Sequence, residues 1–150
     1  MTVAGSRLWL TVATSLVFPV AAARANSPAG RYTIGSATVI DTKTNLTWQQ
    51  PAPTGLYNWA DAKTYCSSQG SGWRLPTIKE LQTLIDYSQS AAPRIDSIFS
   101  GTAAGSYWSS TVLAGLPSSA WYVTFGGGFG GGGDTGNKGT ATMGYVRCVR

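Results

Sequence analysis

The chain contains no histidine. That removes the commonest general base at neutral pH and the commonest transition-metal ligand. It also makes a Ser-His-Asp nucleophile set impossible. Charge is scarce: 11 Lys and Arg and 6 Asp and Glu in 150 residues. The basic residues are scattered, whereas a nucleic-acid reader shows a basic stripe or patch, so no nucleic-acid partner is expected. The carboxylates show no tight pairing. The apolar run at residues 8–20 falls short of the roughly 20 residues a bilayer-spanning helix needs. Cysteine is limited to Cys66 and Cys148.

The N-terminus has the layout of a secretory signal. Arg7 supplies a positive start, residues 8–20 (LWLTVATSLVFPV) an apolar centre, and Ala23-Arg24-Ala25 a small-residue cleavage site. We expect a signal peptide over residues 1–25, with an uncleaved anchor as the alternative. No lipobox cysteine follows. Residues 26–150 then form one domain, too short for two ordinary cores. Without Arg7 and Arg24 the net charge falls from +5 to +3. The expected location is the periplasm, the cell surface or the medium, with no integral membrane segment in the mature chain. Two cysteines in an oxidising compartment read as one disulfide, the alternative being two free thiols.

Residues 31–40, rich in Thr, Val, Ile and Tyr, read as a strand. Turn chemistry at 41–45 leads into a second strand from Leu46. Asn58 caps a first helix bearing Trp59, Ala62 and Cys66 at helical spacing, and Gly70 ends it. Thr77 and Glu80 form a capping box for a second helix with Ile78, Leu81, Leu84 and Ile85 on its apolar stripe. Short strands follow at 107–111, 120–125 and 145–149. Alternation puts Trp121, Val123 and Phe125 on one inward face and Tyr122 on the other; it pairs Val146 with Cys148 and Tyr145 with Arg147. Residues 126–144 include ten glycines and read as a loop that is costly to order. Strands, two helices, then strands make an α+β arrangement.

Several segments together carry a resemblance. They are residues 41–49 (DTKTNLTWQ), 59–66 (WADAKTYC), 72–81 (GWRLPTIKEL), 107–111 (YWSST), 120–125 (AWYVTF) and 146–150 (VRCVR). In combination they resemble the Lcl C-terminal domain family, long described as a domain of unknown function. The family is named for the end domain of a collagen-like bacterial surface adhesin. The resemblance implies a C-type lectin-like fold: two helices beside small antiparallel sheets, with the chain ends joined. It implies a bond from a cysteine in the first helix to one in the final strand, the places of Cys66 and Cys148. It also implies adhesion, with sulfated polysaccharides as ligands. This chain has no collagen-like repeats, so assembly by a triple helix is not implied.

The expected function is therefore a secreted or surface-exposed, non-catalytic binding domain recognising a glycan or a cell-surface partner. One alternative is a structural subunit of a surface or pilus-type assembly. Another is a ligand-binding protein diversified by a retroelement. Residues 126–136 consist only of Gly, Phe, Asp and Thr, which are among the products of mutated asparagine codons.

The candidate ligand-binding residues are Tyr122, Phe129, Asp134, Asn137 and Lys138, with the glycine loop read either as a contact loop or as a flexible crossover. Trp73, Arg74, Thr77 and Glu80 read as structural: Thr77 caps, Trp73 and Leu75 fill core, and Arg74 satisfies carbonyls or pairs with a carboxylate. The other tryptophans of the domain read as core.

No cofactor is expected. Calcium needs several oxygen ligands, and only Asp134 and Asn137 are loop candidates; the Glu-Pro-Asn, Gln-Pro-Asp and Trp-Asn-Asp signatures of calcium-dependent lectins are missing. Residues 74–80 also resemble a segment of formylglycine-generating sulfatase activators. Those enzymes need free reactive cysteines, and a disulfide is no nucleophile. Residues 126–131 match G-x-G-x-x-G, but no helix follows to meet a phosphate.

Overall fold

A computed structural model describes residues 28–126 and 134–150. The expected signal peptide and Phe129 lie outside the described residues. Among the described residues no helix is long and apolar enough to cross a membrane.

The architecture is α+β. The first sheet holds β1 (Tyr32–Ile34), β2 (Thr38–Asp41) and β3 (Leu46–Gln49), all antiparallel. The single strand expected over 31–40 is two strands, because the chain reverses at 35–37 and pairs Ile34 with Val39. Asn45, at φ 57°, closes the next turn, a left-handed position that asparagine tolerates. Asp41 is fully buried, and Arg31 grips both its oxygens at 3.1 and 2.6 Å. Burial alone would raise the Asp41 pKa, but Arg31 and the Lys43 amide hold it below the ordinary carboxylate value.

Helix α1 (Trp59–Ser68) starts where the Asn58 side chain accepts from the Asp61 amide. It stops just before Gly70, whose φ of +121° a side chain would resist. Helix α2 (Ile78–Gln82) is shorter than its apolar stripe. Leu84 and Ile85 lie beyond its end, yet Leu84 is buried in the core and Ile85 packs against it.

The second sheet holds β4 (Ser106–Leu113), β5 (Leu116–Thr124) and β6 (Asp134–Gly139) in that order, antiparallel. Strand β6 corrects the reading of 126–144 as one loop. Its glycines carry no strand propensity, but β5 offers a ladder that pairs all six residues from Asp134 to Gly139.

Core packs against both faces of the second sheet over part of their length. Tyr107, Val123 and Phe125 join Val39, Trp48, Leu81, Leu84 and Val149 in one cluster. Trp108 and Ala120 join Ala62, Cys66, Leu75, Val146 and Cys148 in the other. Each fully buried large apolar side chain is worth roughly 1.5–3 kcal/mol, so these two clusters hold the sheets and helices together.

The last segment is not the regular strand expected at 145–149. It bridges Tyr107 at Tyr145, then both Trp48 and Arg74 at Val149. By changing partners it ties β4 to β3 and joins the two sheets. Arg147 on this segment is fully buried. Its terminal nitrogens donate to the Gln49 carbonyl at 2.7 Å and to Thr102 Oγ1 at 2.6 Å. Burial pulls its pKa down to about 10, which leaves it charged at neutral pH.

Candidate ligand-binding face

The five tryptophans of the domain fall into two groups. Trp48 is fully buried, with its indole N–H unpartnered. Trp59 and Trp108 donate inward, to the Ser109 carbonyl at 2.7 Å and the Tyr57 carbonyl at 2.9 Å. Trp73 and Trp121 are only partly buried, and among the described residues neither indole N–H has a hydrogen-bond partner. An indole with an apolar face and a free donor at the surface suits a ligand that has both.

Trp121 corrects the expectation that it faces inward with Val123 and Phe125. It shares their side of β5, but it lies outside the core cluster that holds them. Its own carbonyl is fixed by Ser109 Oγ at 2.8 Å. Directly across the ladder stands Asn137, exposed. Cross-strand partners share a face, so the indole and the amide sit side by side toward solvent.

Tyr122 and Lys138 occupy the opposite side of the ribbon, and neither is a freely exposed contact. Tyr122 packs against the second core cluster. It lies so close over Gly136 that a Cβ there would come within 2.7 Å of its hydroxyl. Lys138 Nζ sits 4.5 Å from the Trp108 ring centroid and 5.4 Å from that of Tyr122, and it donates to the Met143 carbonyl at 2.7 Å. Burial lowers its pKa. The lysine thus clamps the turn after β6 onto the aromatic floor of the domain. Asp134 begins β6 opposite Thr124; residues 127–133, most of the segment read as diversified, lie outside the described residues.

The 72–81 motif behaves as a structural unit. Thr77 accepts from the Glu80 amide while Glu80 accepts from the Thr77 amide, at 3.3 and 2.8 Å. Arg74 finds its carboxylate in Glu80, with two contacts at 2.8 and 2.7 Å. Held first by Arg74 and then by the Thr77 groups, against the opposing effect of burial, the Glu80 carboxyl falls to about 2. Leu75 is core, and Trp73 packs at the core's edge.

Cys66 and Cys148 are bonded, with Cα atoms 5.3 Å apart. Among the described residues no group of three Cys, Asp or Glu side chains converges to hold a metal ion.

Comparison with known families matches residues 37–150 to the Lcl C-terminal domain. No curated protein matches the chain.

Proposed function

From the premise that the chain belongs to the Lcl C-terminal domain family, we propose that it is an exported, non-catalytic binding module that recognises a glycan through the β5–β6 ribbon. The observation that carries this is the Trp121–Asn137 pair, an indole with an uncommitted N–H beside an exposed primary amide. A sugar ring presents a C–H face and a rim of hydroxyls, which such a pair can stack against and hydrogen-bond.

The ribbon is a firm platform: β5 is flanked by β4 and β6 and backed by both core clusters. Two helices, two small sheets and a bond from α1 to the final segment support a C-type lectin-like fold. With both cysteines in that bond, no thiolate is left for sulfatase-activator chemistry.

The test is a glycan array of the purified protein, with and without calcium, followed by Trp121→Ala. Binding that survives without calcium and weakens by more than about 1 kcal/mol, several-fold in Kd, is the expected result. Undiminished binding by a folded Trp121→Ala protein would move the site elsewhere, and a blank array would remove the glycan reading.

One observation favours the assembly reading as a second possibility. The β4–β5 hairpin ends in Val112, Leu113, Ala114, Gly115, Leu116 and Pro117, with Val112 42 % and Leu116 47 % exposed. An uncharged apolar tip of this kind fits a subunit contact. A Leu116→Lys protein that no longer co-purifies with a surface assembly would support it.

A further inference from the structure

We propose a second ligand site, independent of the β5–β6 ribbon, for a single uncharged sugar ring: the slot between the edge of the first sheet and the end of α1, where Trp73 stands. The slot has a volume of about 260 Å³ and is lined by Ala37, Thr38, Gln49, Gln50, Pro51, Gln69 and Trp73. Trp73 is the other partly buried tryptophan whose indole N–H is uncommitted among the described residues.

The chemistry of the lining selects the ligand class. No ionisable side chain belongs to it, and the neighbouring cation, Arg150, lies over the Trp73 ring instead of lining the slot, so little in the slot would repay the dehydration of a sulfate, carboxylate or ammonium. What it offers is one indole, three primary amides and one hydroxyl. Amides both donate and accept, which matches hydroxyl groups that do the same.

Two of the amides are fixed in advance. Gln49 donates from Nε2 to the Tyr65 hydroxyl at 2.7 Å and receives the Cys148 amide on Oε1 at 3.4 Å. Gln50 donates from Nε2 to the Ile98 carbonyl, and its Oε1 has no partner among the described residues. Gln69 is exposed at the end of α1, with only long contacts from Nε2 to the Tyr65 carbonyl and Ser68 Oγ, at 3.3 and 3.5 Å. Gln50 with an unpartnered acceptor, Gln69 with an adaptable amide and Thr38 with a hydroxyl thus line the slot together with the indole. Groups already held in place cost less to order on binding.

Size narrows the class further. The slot is smaller than the roughly 300–1,000 Å³ of drug-sized pockets, so it accepts one ring and not a chain of them. The Arg150 guanidinium lies 5.0 Å from the Trp73 ring centroid, which helps fix the indole in place.

The experiment is a titration of methyl glucopyranoside, methyl galactopyranoside and N-acetylglucosamine into the purified protein, followed by two-dimensional NMR. The expected result is saturable movement of the Trp73 indole signal and the Gln50 and Gln69 side-chain amide signals with at least one sugar. Gln69→Ala alters an exposed residue and leaves the fold intact; it should raise Kd about fivefold or more. Thr38→Val should weaken binding in the same direction, and Trp121→Ala should leave this binding unchanged. Three results overturn the proposal: no movement with any of the sugars, movement confined to Trp121 and Asn137, or an unchanged Kd in both Gln69→Ala and Thr38→Val. Because Trp121→Ala reports on the ribbon alone, the two sites can fail separately.

Discussion

At the level of single residues, the pairing of Arg74 with Glu80 has the most direct consequence. Glu80 serves two masters: it completes the capping box with Thr77 and receives the guanidinium of Arg74. Its carboxyl, held at about 2, lies well below its ordinary value. A depressed carboxylate stabilises the fold above its unfolded pKa of about 4.3, and that contribution is lost as pH falls through the folded value. Arg74 is 47 % exposed, so solvent screening reduces the worth of the pair to about 1 kcal/mol, comparable with the cap itself. Glu80→Gln should therefore melt below the wild type at pH 7, and the gap should close as the pH approaches 2. Thermal unfolding of both proteins over that range checks it; a gap independent of pH would mean that charge plays no part. The cap was legible in the sequence because Thr77 and Glu80 are three residues apart in a local pattern. The partner of Arg74 was not, because an arginine in the extended segment before a helix can equally well reach carbonyls. Alternation predicts an inward Trp121 for a related reason: it gives a side of the strand, but not how far along it the core extends.

At the level of elements, the helix starts and the turn between β2 and β3 could be read from caps and turn residues, whereas the β1–β2 reversal at 35–37 could not. Strand β6 could not, because three-dimensional pairing with β5 creates it. Glycine serves two different purposes around this ribbon. At Gly126 a Cβ would lie 2.7 Å from the Ala104 carbonyl carbon and oxygen, and backbone cannot swing aside as a side-chain tip can. At Gly139 the nearest atom is the Ser118 carbonyl oxygen at 4.0 Å. Neither position has a positive φ, so space alone separates them. Gly126→Ala should cost about 1–3 kcal/mol through overpacking, whereas Gly139→Ala should be neutral or slightly stabilising because it restricts the unfolded chain. Urea unfolding of the two variants decides between them, and equal midpoints would show that the approach at Gly126 is not tight. The alternation of Val146 and Cys148 predicts a strand in the final segment, and both do point into one cluster. It forms bridges rather than a ladder because it serves two sheets in five residues.

At the level of the whole molecule, the bond from Cys66 to Cys148 governs how the parts hold together. Cys66 comes from α1, and Cys148 from the segment that stitches β3 to β4. Both are fully buried in the cluster beneath the second sheet, so the bond fixes the one stretch of chain on which both sheets depend. The approach to that stretch is held by weaker ties: Lys138 donates to the Met143 carbonyl, and Gly144 exchanges two backbone hydrogen bonds with Tyr57. The bond spans 82 residues, for which the chain-entropy account gives about 4.5 kcal/mol. Domains of this size are stable by about 5–15 kcal/mol in total, so the bond accounts for a large share. A Cys66→Ser, Cys148→Ser protein should lose about 4.5 kcal/mol of stability, with the final segment the first to open. Hydrogen exchange measures this locally: the amides of Cys148, Val149 and Arg150, or their equivalents, should lose protection before those of β2 and β3 paired with each other. Bulk unfolding measures it globally, as a midpoint lowered in proportion to about 4.5 kcal/mol. A double variant that melts with the wild type would show that the two core clusters hold the final segment unaided, and that the bond serves the protein in some way other than by stability.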